Sequence, residues 1–375
     1  MSTRFPCGYC CATPSRLFSR LGDLLPPYPA RIQPELTALN ARELGDPVTG
    51  PGSISAARAV TTIPPARVHN RPSDPRAYTG PAAGIFHRRP GPVQAVLRRG
   101  SGSMEGSLVH TGEIELGAGA SLRWWASGFE RPLLLIHPSG TDHSLWDPVL
   151  PWLTDQRDVI RYDLRGHGDS PPGRGSYRHA DDLLRLLDGL RLDRVDVVGA
   201  SYGGQVAIEA AAVAPERIRA LAVLGSSMPG HRWSPEVVAA AQAQAAALAV
   251  GDIDEAVRWW MDTWVRGPRR SWEDLNPAMW DLFVPPLRRS FAWEDGGAVD
   301  LEPGSAWAAQ LATTPRAALV AVGDLDLDDC LAIAAKLGDL LSVPPVRVAG
   351  VGHLLGAEDP VATGTLLREF LANLD

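Results

Sequence analysis

The chain has 375 residues, is 45% hydrophobic with 12 tryptophans, and carries a net charge of −7, enough to bury a sizeable core in one large domain or two smaller ones. The charge is uneven: residues 1–103 hold 13 arginines against 5 acidic residues, which leaves −15 on the remainder and argues against nucleic acid as its partner. Four cysteines are too few for a disulfide scaffold. No apolar run is long enough to span a membrane, and no apolar signal-peptide core follows the start, so a reduced, soluble, cytoplasmic protein is expected.

Residues 1–103 contain 15 of the 33 prolines and show no sustained helical or strand period. Such a segment cannot offset its ordering entropy by burial and is expected to be a disordered, Arg/Pro-rich extension. It could serve as a targeting segment or a weak anion-binding arm. The orderly pattern that begins MEGSLVHTGEIEL makes Met104 an alternative start, with the first 103 residues dispensable. Cys7, Cys10 and Cys11 form a CxxCC cluster with no second Cys/His pair to complete a zinc site, so they read as free thiols. Cys330 reads as a small core or surface residue.

From Met104 the punctuation is regular. Strands are predicted at EIELGAG and SLRWWASG, then at 132–137, 158–163, 195–200, 218–225, 317–323 and 346–350. Helical stretches separate most of them: DDLLRLLDGL, QVAIEAAAVA, DDCLAIAAKLGDLL and the C-terminal VATGTLLREFLANLD. This alternation predicts an α/β fold, a mainly parallel sheet with helices on both faces, built from 104–228 and 301–375. Residues 229–300 have no strand-like run, two helical patterns and seven of the tryptophans, and are expected to form a helical cap. Trp259, Trp260 and Trp264 fall there at helical spacing and read first as packing of cap on core, second as substrate contacts.

The run VDVVGASYGG carries the chemistry. A buried strand leads into Gly199-Ala200-Ser201-Tyr202-Gly203, and a small-residue helix leads out. Glycines permit the sharp turn, and the turn lifts the Ser201 hydroxyl above the sheet beside a helix N-terminus. A serine nucleophile needs a base and an orienting acid. His353 lies in a Gly-flanked loop after the last strand, and Asp326 follows the strand AALVAVG, with Asp324 as the fallback acid. Asp328 and Asp329 read as caps of the next helix. For the oxyanion, Tyr202 offers a backbone N–H, and the loop His137-Pro138-Ser139-Gly140 offers a second. Pro138 has no N–H, so Ser139 is the expected donor, while His137 is expected to bond the loop backbone. Asp163, Arg165 and Gly166 read as structural, fixing the turn after a strand.

The set IHPSGTDHSLW, YDLRGHGDS, GASYGG, VGDLD and GVGH resembles the α/β-hydrolase superfamily, in that superfamily's order and over residues 106–375. The first and second motifs are most similar to the 3-oxoadipate enol-lactonase group and its esterase relatives, with Pro138 a departure where glycine commonly follows the histidine. The resemblance implies a cofactor-free serine hydrolase acting on a small-molecule ester or lactone, with Ser201, Asp326 and His353 as nucleophile, acid and base. Ser201 argues against the haloalkane dehalogenases and epoxide hydrolases of this fold, whose nucleophile is aspartate. Cleavage of C–C bonds in meta-cleavage products, perhydrolysis, and a receptor role on the same fold are the alternatives.

Overall fold

The apolar runs form the predicted strands, with their ends trimmed by turns. The computed structural model describes residues 98–99, 110–293, 298–301, 304–313 and 317–374. Cys7, Cys10, Cys11 and Met104 lie outside the described residues. In chain order the strands are β1 (Arg98–Arg99), β2 (His110–Gly117), β3 (Ala120–Ala126), β4 (Pro132–Ile136), β5 (Asp158–Tyr162), β6 (Ser176–Tyr177), β7 (Val195–Ala200), β8 (Ile218–Leu224), β9 (Val299–Asp300), β10 (Ala317–Gly323) and β11 (Val346–Val348). Nine of them form one sheet in the order β1-β2-β3-β5-β4-β7-β8-β10-β11. The β1, β2, β3 and β5 pairings are antiparallel; from β5 through β4 to β11 every pairing is parallel.

Alternation along the strands explains why both faces are covered. Leu134, Ile136, Val197, Leu221, Val223, Val320 and Val322 enter one core. Leu133, Leu135, Val198, Ala222, Leu224, Leu319 and Ala321 enter the other. A parallel strand with two apolar faces is stable only between two helical layers. The first core receives α1 (His179–Gly189), α2 (Tyr202–Val213) and α7 (Asp328–Leu341), through side chains such as Leu183, Val206 and Ile333. The second receives Leu367 and Leu371 of α9 (Pro360–Ala372). Between β8 and β9 lie α3 (Pro235–Ala249), α4 (Ile253–Trp260), a π-helical turn at Met261–Arg266, and α5 (Ala278–Phe291). Two further helices, α6 (Trp307–Thr313) and α8 (Leu355–Glu358), flank β10 and α9.

Several details differ from expectation. β1 belongs to the segment read as disordered, yet Arg98 and Arg99 pair with Thr111 and His110 at the sheet edge. β2 stops at Gly117 because Gly117, Ala118 and Gly119 all have positive φ and turn the chain into β3. The helix after the elbow begins at Tyr202 rather than Gln205, so Ser201 immediately precedes it. The segment 229–300 is not free of strand: β9 pairs in parallel with β6. Asp328 and Asp329 occupy the first turn of α7, but neither caps it. Asp328 bonds Arg269 at 2.6 Å, and Asp329 accepts the Ser234 N–H at 3.0 Å.

β4 neighbours β5 on one side and β7 on the other, so the strand order reverses there. The crevice beyond the C-terminal ends of such strands is where open α/β sheets place ligands. The elbow packs tightly into that crevice. A Cβ on Gly203 would overlap the carbonyl oxygen of Ile136 at the end of β4 and lie 2.6 Å from that of His137. Backbone cannot give way as a flexible side chain can, so Gly203→Ala is expected to destabilise the fold by about 3 kcal/mol or more. Urea unfolding of the two proteins checks this.

Candidate active site

Ser201 sits between β7 and α2 with φ 50° and ψ −119°, a left-handed conformation that a non-glycine residue adopts only when its surroundings impose it. The surroundings here are backbone bonds. The Ser201 N–H donates to Leu224 O at 2.9 Å, and Ser201 O accepts from Ser227 N–H at 3.1 Å and Gly204 N–H at 3.0 Å. The strained turn presents Oγ to His353, whose Nε2 lies 2.8 Å away. On the other side of the ring, Nδ1 lies 3.0 Å and 3.1 Å from the two carboxylate oxygens of Asp326. The three side chains predicted from sequence therefore form one continuous hydrogen-bonded line. Asp326 is 1% and His353 5% exposed, so water does not compete for these bonds.

Asp326 is itself held. Its Oδ1 accepts the Leu327 N–H at 2.7 Å, and its carbonyl accepts from Arg269. The fallback, Asp324, is spent elsewhere: its Oδ1 accepts the Gly350 N–H at 2.7 Å, bracing the loop that leads to His353.

Two residues that the sequence reading did not single out hold that loop. Glu358 accepts the Gly352 N–H at 2.8 Å and the Leu354 N–H at 3.0 Å, so its carboxylate grips the backbone on either side of His353. Arg270 pairs with Glu358, and both are nearly buried; Arg270 also donates to Val265 O at 2.7 Å. Removing one partner of a buried pair strands the other's charge, so this pair couples the 261–270 segment to the His353 loop. Eighty-eight residues separate the two, and no local pattern announces them.

The loop after β4 is organised by His137. The Leu164 N–H donates to its Nε2 at 2.9 Å, which leaves the proton on Nδ1 to donate to Pro138 O at 2.7 Å. Burial lowers the His137 pKa, in keeping with a neutral ring that braces backbone, as expected. Ser139 is buried in this loop, and Tyr202, at the N-terminus of α2, is buried beside Ser201. Asp163 and Arg165 are structural, as read. Asp163 accepts the N–H groups of His143 and Asp169, both at 2.8 Å, and Arg165 grips Asp182 with two bonds of 2.7 Å. Burial works to raise the Asp163 pKa, but the hydrogen bond and charge of His143, the His137 ring and the Asp169 N–H together outweigh it and the pKa is lowered.

Of the three tryptophans at helical spacing, Trp259 is exposed. Trp260 and Trp264 are buried, and they reach the site. The Trp264 ring centroid lies 4.7 Å from that of His353. A Cβ on Gly140 would meet Trp260 Nε1 at 3.0 Å.

Behind the elbow lies a cluster of buried rings: His137, His167, His179 and Tyr202, with successive centroids 5.4, 6.4 and 5.5 Å apart. Burial pushes His167 down to about 4 and His179 down to about 3. Unfolded, both titrate near 6.5, so the unfolded chain binds two protons the fold refuses, and stability is lost as pH falls from 6.5 toward 4. Asp300, which bonds the Tyr202 hydroxyl, works in the opposite direction. Burial raises it from 3.8 to about 6, so the fold takes up its proton first, and its share of stability is lost as pH rises through that window. Two large histidine shifts outweigh one carboxylate shift. The net loss between pH 7 and pH 5 is expected to be about 2 kcal/mol. Urea midpoints at the two pH values measure it, and His179→Phe should shrink the difference.

Residues 131–272 match the family model for the α/β-hydrolase fold. Over 119 residues the chain is 36% identical to 2-hydroxymuconate semialdehyde hydrolase of Pseudomonas sp. (strain CF600), covering 30% of this chain and 42% of that one. Over 106 residues it is 33% identical to 3-oxoadipate enol-lactonase 1 of Acinetobacter baylyi, covering 27% and 40%. The chain thus spans about two fifths of the length of the curated relatives it matches. Among solved structures, a hydrolase from Pseudomonas aeruginosa PA01 superposes with a TM-score of 0.54 at 29% identity, over 70% of this chain and 98% of that one. Sheet order, elbow and matched segment agree: the chain has the α/β-hydrolase fold.

Proposed function

We propose that the protein is a cofactor-independent serine hydrolase that cleaves a small ester or lactone, acting in the cytoplasm, through an acyl-enzyme. The observation that carries this reading is the line Ser201 Oγ–His353 Nε2–Asp326 at 2.8 Å and 3.0 Å, buried at the C-terminal ends of the parallel strands. His353 takes the Ser201 proton as Oγ attacks the carbonyl carbon, and Asp326 holds the Nδ1–H tautomer and stabilises the imidazolium. The backbone N–H groups of Ser139 and Tyr202 stabilise the oxyanion of the tetrahedral intermediate. The proton on His353 passes to the departing alcohol oxygen. A water then gives its proton to His353 and attacks the acyl carbon; the bond to Oγ breaks, His353 returns the proton to Ser201 Oγ, and the acid leaves.

Residues 229–300 act as a cap in this reading. Trp264 against His353 and Trp260 against Gly140 bring one indole onto the base and another onto the loop that carries Ser139, which favours a small substrate of low polarity. The similarity to 2-hydroxymuconate semialdehyde hydrolase supports a second reading, C–C cleavage by the same three residues.

A panel of p-nitrophenyl esters, lactones and vinylogous diketones tests the choice on the full chain. The highest kcat/KM is expected on a short ester or a lactone. Turnover of the diketones alone would move the assignment to the second reading, and turnover of none would refute both.

A further inference from the structure

The environment of His353 contains a group the hydrolytic chemistry does not use. Cys330, in the first turn of α7, is buried, is in no disulfide, and places Sγ 3.6 Å from His353 Nδ1. The same Nδ1 lies 3.0 Å from an Asp326 oxygen. One atom each from thiol, imidazole and carboxylate thus lie within 4.8 Å of one another. In a tetrahedral site with ligands at about 2.0–2.3 Å from a zinc-like ion, neighbouring ligand atoms sit about 3.3–3.6 Å apart. Two edges of the observed triangle, 3.6 Å and 3.0 Å, lie at or near this spacing, and the third is no longer than 4.8 Å. Thiolate with imidazole selects zinc or cadmium over magnesium or calcium, and three protein ligands leave the fourth position to water.

A second His–carboxylate group, Asp142, His143 and Asp163, lacks this character. It offers no soft ligand, and Asp163 is already committed to two backbone N–H groups.

We propose that Asp326, Cys330 and His353 form a binding site for a soft divalent cation of the zinc or cadmium type, and that an ion held there is incompatible with catalysis. The exclusion is one of tautomers. An ion on the Nδ1 lone pair requires the proton on Nε2, which then donates to Ser201 Oγ instead of accepting its proton. It also draws Asp326 out of its bond to the ring. Only this consequence rests on the serine-hydrolase reading; the binding itself does not.

The test uses the full chain with Cys7→Ala, Cys10→Ala and Cys11→Ala, which leaves Cys330 as the sole thiol. Cadmium chloride is titrated while the ultraviolet thiolate-to-cadmium charge-transfer band and the hydrolysis of p-nitrophenyl acetate are followed together. The band is expected to saturate at one equivalent. It should be absent in Cys330→Ala and Cys330→Ser, and should need at least tenfold more cadmium in His353→Ala, with the folding of each variant verified by circular dichroism. Hydrolysis should fall in step with the band, recover on chelation, and cease to respond to cadmium in both Cys330 variants. A band without any ester hydrolysis would sustain the site while refuting the esterase reading. No band, or a band unaffected by His353→Ala, would overturn the site, as would equal inhibition of the Cys330 variants.

Discussion

Replacing Ser201 with alanine is expected to lower ester or lactone turnover by about a millionfold while leaving the fold intact. The rate falls that far because the proposed acyl-enzyme forms on this oxygen: among the described residues it is the Ser201 hydroxyl that lies 2.8 Å from His353 Nε2. The fold survives because the elbow is held by backbone, not by the Ser201 side chain. Its N–H bond to Leu224 and the bonds its carbonyl accepts from Gly204 and Ser227 all persist in the variant. Alanine inherits the unfavourable φ of 50°, whereas glycine does not suffer from it. Ser201→Gly should therefore be at least as stable as Ser201→Ala and equally inactive. Initial rates on the best substrate of the panel, with urea midpoints for all three proteins, separate lost chemistry from lost structure.

Asp326→Asn is expected to cost about four orders of magnitude in kcat, with little change in KM. An asparagine amide in this position donates to Nδ1, which moves the ring proton to Nε2 and leaves His353 unable to accept from Ser201. It also cannot stabilise the imidazolium. Asp324→Asn is the internal control. The Asp324 oxygen accepts the Gly350 N–H, a bond that an amide oxygen can keep, so this variant should lose less than about tenfold. If the larger loss came from Asp324, the assignment of the acid would move to it.

Much of the arrangement is legible before any coordinates. The runs LLLI and ALVAV are apolar at every position, and VDVV at every position but the ion-paired Asp196, because both faces of each strand are buried, and that pattern survives in a single sequence. Ser201, Asp326 and His353 are legible for a related reason: each follows a strand at a glycine-marked turn, where only backbone geometry has to be inferred. What stays hidden depends on contacts between distant residues. The Arg270–Glu358 pair and the contact of Cys330 with His353 join segments whose local sequences are ordinary helix starts and loops. β6 and β9 have two residues each and owe their existence to one another. The π-helical turn at Met261–Arg266 follows a stretch of helical periodicity, and periodicity does not distinguish a four-residue from a five-residue hydrogen-bond step. The tryptophans divide the same way. Spacing places Trp259, Trp260 and Trp264 on one helical run, but only the packing of α4 over the β4 loop turns Trp260 inward and leaves Trp259 exposed.

The central claim is that Ser201 is a nucleophile activated by His353. Incubation of the full chain with a fluorophosphonate, followed by intact-mass and peptide mass spectrometry, measures this without knowledge of the substrate. One phosphonyl group per chain, located on Ser201 and lost in His353→Ala, is the predicted result. Labelling at another residue, or a labelling rate at Ser201 that is unchanged in His353→Ala, would contradict it.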